Sequence, residues 1–92
     1  MNFKFIGWCK ENKHDKVWGV IKLDSPNALI FWGRRGSKLQ TKFTIETWGL
    51  TKLIDSKRNT GYNEINSEDL DKVYPEFQQD IEQAAIWASL RF

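Results

Sequence analysis

A tryptophan and two arginines come together in one short turn of this 92-residue chain. Trp32 ends an apolar run, and Arg34 and Arg35 follow it between Gly33 and Gly36. A flat indole can stack on a base or sugar, and guanidinium groups form forked, charge-assisted bonds to phosphate. The alternative is a core tryptophan with arginines that are solvated or paired with acidic side chains. This turn therefore predicts either a contact site for nucleic acid or an ordinary surface hairpin.

Two lysines follow the turn on the next extended run. Lys38 and Lys42 would share one face with Gln40 if the run alternates as a strand does. Such a stripe of cations favours contact with a polyanion. A charged outer face of a sheet is the equally simple alternative.

The segments that must position these side chains read as strands. Alternating and β-branched patterns predict four of them, at residues 3–11, 17–23, 28–32 and 39–44. In the first, alternation places on one face Phe3, Phe5, Gly7 and Cys9. Gly33 and Gly36 suit positive φ or close backbone approach at the hairpin turn. Short links between the strands predict an antiparallel meander.

A helix is predicted after the strands, over residues 46–57. Leu50, Leu53 and Ile54 recur there at helical spacing, so this helix is expected to bury them across the sheet. Thr44 or Thr47 would be its N-cap. Gly49 inside it costs stability unless the sheet approaches closely there, and residues 59–61 predict its end.

A second helical region is predicted at residues 67–92. Acidic residues open it at Ser67, and Pro75 marks a second helix start. Apolar residues then recur at helical spacing, namely Phe77, Ile81, Ala84, Ala88 and Phe92. The chain is therefore predicted to be α+β, with an antiparallel sheet of about four strands, one helix packed across it and a C-terminal helical appendage.

The tryptophan turn also resembles a known family. Trp32-Gly33-Arg34 followed by Arg35-Gly36 is similar to the signature of the WGR domain, which occurs in DNA-dependent poly(ADP-ribose) polymerases and in small bacterial proteins. Residues 15–23 resemble the strand that precedes the motif, and residues 52–55 and 57–62 resemble the end of the domain's helix and its Gly-Tyr exit. The resemblance covers residues 3–66, which implies a WGR-like domain at 1–66 and a helical extension at 67–92, packed on it or on a partner.

The resemblance implies roles for single residues. In the polymerases the tryptophan that matches Trp32 packs against a DNA end, and the arginine that matches Arg34 also relays contacts between domains that this chain lacks. The loop that matches Asn12, Lys13 and Lys16 lies near that tryptophan and helps to hold the terminal phosphate. Arg35 departs from the small apolar residue common after the motif and raises the local positive charge.

Charge is distributed unevenly along the chain. Residues 1–63 carry twelve basic and five acidic side chains (+7), and residues 64–92 carry two basic and seven acidic ones (−5), which sum to the net +2. A polyanion is therefore expected to meet the first part, although two solvated faces would give the same totals.

Other classes of function find little support in the sequence. His14 reads as a solvated loop histidine and Cys9 as a small buried residue, so neither predicts catalysis, a metal site or a disulfide. Phosphate-loop and dinucleotide fingerprints are absent, and no segment reads as a signal peptide or membrane span. We therefore predict a cytoplasmic, non-enzymatic protein without a cofactor.

Two functional hypotheses follow. The first is a stand-alone WGR module that binds nucleic acid, preferably DNA ends or nicks, by stacking an exposed Trp32 on the terminus. The other residues of this predicted nucleic-acid-binding site, which surround the phosphates, are Gly33, Arg34, Arg35, Lys38, Lys42, Asn12, Lys13 and Lys16. The alternative is an interaction adaptor or self-associating module, whose WGR face or C-terminal helix docks a protein partner or a second copy. Regulation of a separate ADP-ribosylating enzyme is suggested only by analogy with the family.

Overall fold

Five antiparallel strands form one sheet in the computed structural model, which describes residues 2–11 and 13–89, the last three as backbone only. The strands are β1 (Phe3–Glu11), β2 (His14–Lys22), β3 (Asn27–Arg34), β4 (Gln40–Ile45) and β5 (Asn63–Glu64). Their order in the sheet is β4-β3-β2-β1-β5. The predicted α+β fold with an antiparallel meander is confirmed, and β5, which has only two residues, adds a fifth strand at the edge beside β1.

The first helix, α1 (Trp48–Asn59), crosses one face of this sheet. Thr47 is its N-cap, because the Thr47 hydroxyl accepts a hydrogen bond from Leu50 N–H at 3.3 Å. The helix therefore begins two residues later than predicted. At its end, Gly61 adopts a φ of +97°, and Tyr62 N–H bonds Lys57 C=O at 3.3 Å.

The C-terminal region consists of three short elements. A 3-10 turn at Ser67–Asp69 leads into α2 (Leu70–Val73), and α3 (Phe77–Ser89) follows Pro75. The predicted helix starts near Ser67 and after Pro75 are therefore both present. Of the predicted apolar stripe, Phe92 and the side chain of Ala88 lie outside the described part of the chain.

Each face of the sheet buries its own apolar cluster. On the α1 side, the largest members are Phe5, Trp18, Leu50, Ile54 and Tyr62, and the edge of Trp32 packs against them. On the opposite side, α2 and α3 cover the sheet with Leu70, Tyr74, Phe77, Ile81 and Ala84, packed around Phe31. The C-terminal helices thus cover the face of the sheet opposite α1, and the described residues form three layers.

The predicted alternation of β1 is wrong at its first residue. Phe3 opposes Ile21 and Phe5 opposes Val20, so two steps along β1 match one step along β2. This bulge turns Phe3 to the α3 side, where its ring lies 5.7 Å from that of Phe77, while Phe5 faces α1. A bulge inserts one residue into a strand and so reverses the faces beyond it.

The glycine inside α1 has no packing role. A Cβ added to Gly49 would meet only the Thr47 hydroxyl, at 3.6 Å, which is an ordinary contact. We therefore expect Gly49→Ala to raise the free energy of unfolding by about 0.5–1 kcal/mol, because alanine loses less backbone entropy in a helix. Urea titration followed by circular dichroism measures this change, and an equal or lower stability would contradict it.

Candidate nucleic-acid interface

A groove of about 320 Å³ opens on the α1 side of the sheet, at the end that carries the β1–β2 and β3–β4 connections. Its walls are formed by Lys13, His14, Asp15, Lys16, Trp32, Gly33, Arg34 and Tyr62. The chain folds this way because β2 begins and β3 ends at the same edge, where Lys16 opposes Arg34 in the register. The structure thus brings together five residues that the sequence had singled out.

Trp32 lies half-buried in the wall of this groove. It opposes Trp18 on one neighbouring strand and Gln40 on the other. One part of the indole packs on the cluster under α1, and the remainder lines the groove. The side chain is therefore neither sealed in the core nor fully exposed, and its position is fixed by the packing beneath it.

The last residues of β3 require glycine one position before the strand ends. Gly33 has a φ of +150°, and a Cβ there would lie 3.2 Å from the Leu39 side chain. Gly36 has a φ of +82°. The prediction of positive φ at both positions is confirmed, and it explains how β3 can end beside β4 with Trp32 and Arg34 still on one face.

The cations of the groove come from three elements. Lys13 and Lys16 flank the start of β2, and Arg34 ends β3. Lys57, in the last turn of α1, places its Nζ 5.6 Å from the Trp18 ring centroid and 5.8 Å from that of Tyr62. Lys16 and Lys57 thus lie over the Tyr62 ring, and Lys13 and Arg34 line the same groove, which is an arrangement suited to a phosphate-bearing, planar ligand.

Tyr62 was not predicted as a site residue. Its ring lies 5.7 Å from Lys16 Nζ, and burial raises the pKa of its phenol. The group therefore stays protonated at neutral pH and keeps a hydrogen-bond donor at the groove. The sequence identified the Gly61-Tyr62 segment as a helix stop and as the Gly-Tyr exit of the resemblance, and His14 as a solvated loop residue, without a site role for either.

Arg35 points to the other side of the sheet. Its guanidinium donates two hydrogen bonds to Asp15 Oδ2, at 2.9 and 3.1 Å, and a third to the carbonyl of Val73, at 2.6 Å. It also lies 4.9 Å from the centroid of the Trp8 ring. Arg35 therefore ties the start of β2 to α2 and does not line the groove.

This network also sets the charge of Asp15. The indole N–H of Trp8 donates to Asp15 Oδ1 at 2.7 Å and, together with Arg35, holds the pKa of that carboxyl below its usual value. The carboxylate is thus ionised, and Arg35 balances its negative charge from the side of the sheet away from α1. The positive charge of the groove is opposed only weakly by the acid in its wall.

Lys38 and Lys42 also lie outside the groove. Lys42 is on the same sheet face as Trp32, because Gln40 opposes Trp32 and alternation places Lys42 on that face too. Lys38 precedes β4 and lines a separate hollow beside Asp80 of α3. Asn12 lies outside the described residues. The predicted lysine stripe therefore divides between the two sides of the sheet.

Comparison of the chain with protein-family models, with curated proteins and with solved structures found no match. Over residues 2–11 and 13–89, no cluster of three or more potential ligand side chains is placed to hold a metal ion. None of the helices in that part of the chain has the length and apolar character needed to cross a membrane. The resemblance to the WGR domain therefore stays a hypothesis carried by the residues quoted above.

Proposed function

We propose that the groove beside Trp32 binds nucleic acid, with a preference for DNA ends or nicks, and that the chain acts as a WGR-like binding module without catalysis. The observation that carries this proposal is the convergence of Lys13, Lys16 and Arg34 on one wall of a concave site whose other wall is a half-exposed indole. A terminal base pair or sugar would rest against the ring, and the flanking phosphates would meet the cations.

The geometry favours an end over continuous duplex. A blunt terminus or a nick exposes a flat base-pair face, whereas intact duplex offers only phosphates and groove edges to a ring held in a wall. Because the groove cations are expected to meet phosphates rather than base edges, binding should not depend on base sequence. Phosphate contacts alone make the affinity steeply dependent on salt.

In this proposal Arg34 supplies a direct phosphate contact, and Arg35 has a positioning role. Arg34 is exposed at the mouth of the groove. Arg35 fixes the start of β2, from which Lys13 and Lys16 extend, through its bonds to Asp15. In the adaptor hypothesis the C-terminal helix would offer Ile86, which is 58% exposed, because Phe77, Ile81 and Ala84 are buried on the sheet.

The test is a titration of blunt, nicked and covalently closed circular DNA of the same sequence, each at two salt concentrations. We expect the first two to bind more tightly than the closed circle. The slope of log K against log salt should be about −3, because roughly three or four cations meet phosphate. Salt-insensitive binding of equal strength to all three would rule out the proposal.

Arg34→Ala is expected to weaken binding to ends by about tenfold and to reduce the salt slope by about one, through the loss of one charge-assisted contact. Lys72→Ala is the matched control, since it removes the same charge from α2, on the opposite side of the sheet. An equal loss for both variants would show that net charge alone, rather than the groove, sets the affinity.

A further inference from the structure

The outer edge of β4 is a second surface with a defined chemistry. In the part of the chain that the structure describes, the sheet order ends at β4, so no strand pairs with its outer side. Glu46 N–H donates to Pro26 C=O at 2.7 Å and continues the β3–β4 ladder. Because ladder bonds alternate along an antiparallel pair, the even-numbered residues of β4 bond β3, and Ile45 directs its N–H and C=O outward.

Side chains on this edge are divided between the two faces. Lys42 and Thr44 lie on the α1 side, and Phe43 and Ile45 lie on the α3 side, with 38% and 54% of their surfaces exposed. Edge strands of monomeric proteins usually avoid exposed apolar side chains because such edges pair with other strands. The composition of β4 thus favours pairing.

We propose that β4 pairs antiparallel with β4 of a second copy of the chain, about a two-fold axis that passes through Thr44. The axis stands perpendicular to the sheet, so the α1 faces of both copies lie on the same side. Two five-stranded sheets then become one continuous sheet. Ile45 N–H of each copy would donate to the Phe43 carbonyl of the other.

Charge selects this register. Centring the axis on Thr44 sets Lys42 opposite Glu46 of the second copy, Thr44 opposite Thr44, and Phe43 opposite Ile45. Opposite charges, paired threonines and an aromatic beside a β-branched residue are all favourable cross-strand neighbours. Centring it on Lys42 would oppose two lysines, which is destabilising, and centring it on Phe43 would form no direct ion pair.

Glu46 has the capacity for this contact. Its Oε1 lies 3.5 Å from Lys4 Nζ and makes no hydrogen bond within residues 2–11 and 13–89. The side chain keeps 26% of its surface exposed. Because Oε1 is buried, the second copy's Lys42 would approach the exposed remainder of the carboxylate and leave Lys4 in place.

The first measurement is mass against concentration by analytical ultracentrifugation, with no nucleic acid present, so the result is independent of what the groove binds. One strand pair is a small interface, so we expect the mass to rise from that of the 10.9 kDa chain towards twice that value only as the concentration approaches ~1 mM. Amide exchange at Ile45 should slow over the same range, while Thr44, already bonded to β3, should not change.

Charge reversal tests the register itself. Lys42→Glu and Glu46→Lys should each remain monomeric, because each opposes like charges across the axis. An equimolar mixture of the two should dimerise again, because every edge pair then joins opposite charges. Circular dichroism and urea titration confirm that each variant is folded. Should Glu46→Lys fail to fold through its loss of Lys4, Ile45→Pro replaces it, since proline removes an N–H that points away from β3 and should abolish the dimer.

The proposal is overturned if the wild-type mass stays that of one chain up to the highest concentration while Ile45 exchange is unchanged. It is also overturned if Lys42→Glu dimerises as the wild type does, or if the mixture of folded variants stays monomeric. The proposal is supported if each folded variant is monomeric by itself and their equimolar mixture dimerises.

Discussion

Arg35→Ala is expected to lower the free energy of unfolding by about 2–3 kcal/mol, because it removes two charge-assisted bonds to Asp15 and one bond to the Val73 carbonyl at once. The pair is about a quarter exposed, at 28% for Arg35 and 27% for Asp15, so solvent screening keeps the loss below that of a fully buried ion pair. The substitution also removes the cation–π contact between Arg35 and the Trp8 ring. Urea unfolding at neutral pH measures the change.

Arg34→Ala is the matched control for this variant. The neighbouring arginine is exposed, and its removal should change stability by no more than about 0.5 kcal/mol. Arg35→Ala should therefore lower the stability of the fold, whereas Arg34→Ala should lower the affinity for DNA ends. Equal stability of both variants would show that the contacts of Arg35 contribute nothing to the fold.

The same network predicts the pH dependence of stability. The Trp8 indole and the Arg35 guanidinium depress the pKa of Asp15 in the folded state. A depressed pKa stabilises the fold above the unfolded value of about 3.9, and this contribution is lost as the pH falls through the folded pKa. The stability difference between wild type and Arg35→Ala should therefore be largest near neutral pH and should narrow below about pH 4.

Gly19→Ala is expected to destabilise the fold by about 3 kcal/mol. A Cβ at this position in β2 would lie 2.4 Å from Phe31 Cζ and 2.7 Å from the carbonyl oxygen of Phe5. The ring is completely buried and the second atom is backbone, so neither can move aside without disturbing the sheet. Overpacking of this kind costs about 1–3 kcal/mol, and we expect the upper end here because neither neighbouring atom can move aside.

Gly49→Ala is the matched control for Gly19→Ala, because it adds the same methyl group at a position where space is open. The two glycine variants should thus shift the urea midpoint in opposite directions. A Gly19→Ala protein as stable as wild type would mean that the sheet relaxes around the added carbon. In that case the close approach of Phe31 is not required by the fold.

Much of the fold could be predicted from local patterns. Alternation and β-branched or aromatic composition located β1 to β4, and the leucine and isoleucine spacing located α1, because α1 buries one face. The bulge at Phe3 could not be predicted in this way, since alternation contains no sign of an inserted residue. β5 has two residues and no pattern of its own, so only tertiary pairing with β1 reveals it.

The site was predictable only in part. Arg34 and Arg35 were assigned to one turn and one role, yet β3 extends through Arg34, and successive strand residues face opposite ways. Once β3 is known to extend through Arg34, alternation from Trp32 places Arg34 on the face of Trp32 and Arg35 on the opposite face. Tyr62 lines the groove and Lys57 lies beside its ring because α1 packs on the sheet, an arrangement that no local pattern contains.

The burial of Tyr74, Phe77 and Ile81 against the sheet has a consequence for biosynthesis. A ribosome delivers the chain from its N-terminus, so β1 to β4 emerge while one side of the nascent sheet still lacks its cover. Arg35 can already bond Asp15 at that stage, but its third hydrogen bond awaits the carbonyl of Val73. A chain that ends before α2 and α3 should therefore leave that face of the sheet uncovered, and we expect it to be degraded rather than to persist as a smaller folded module.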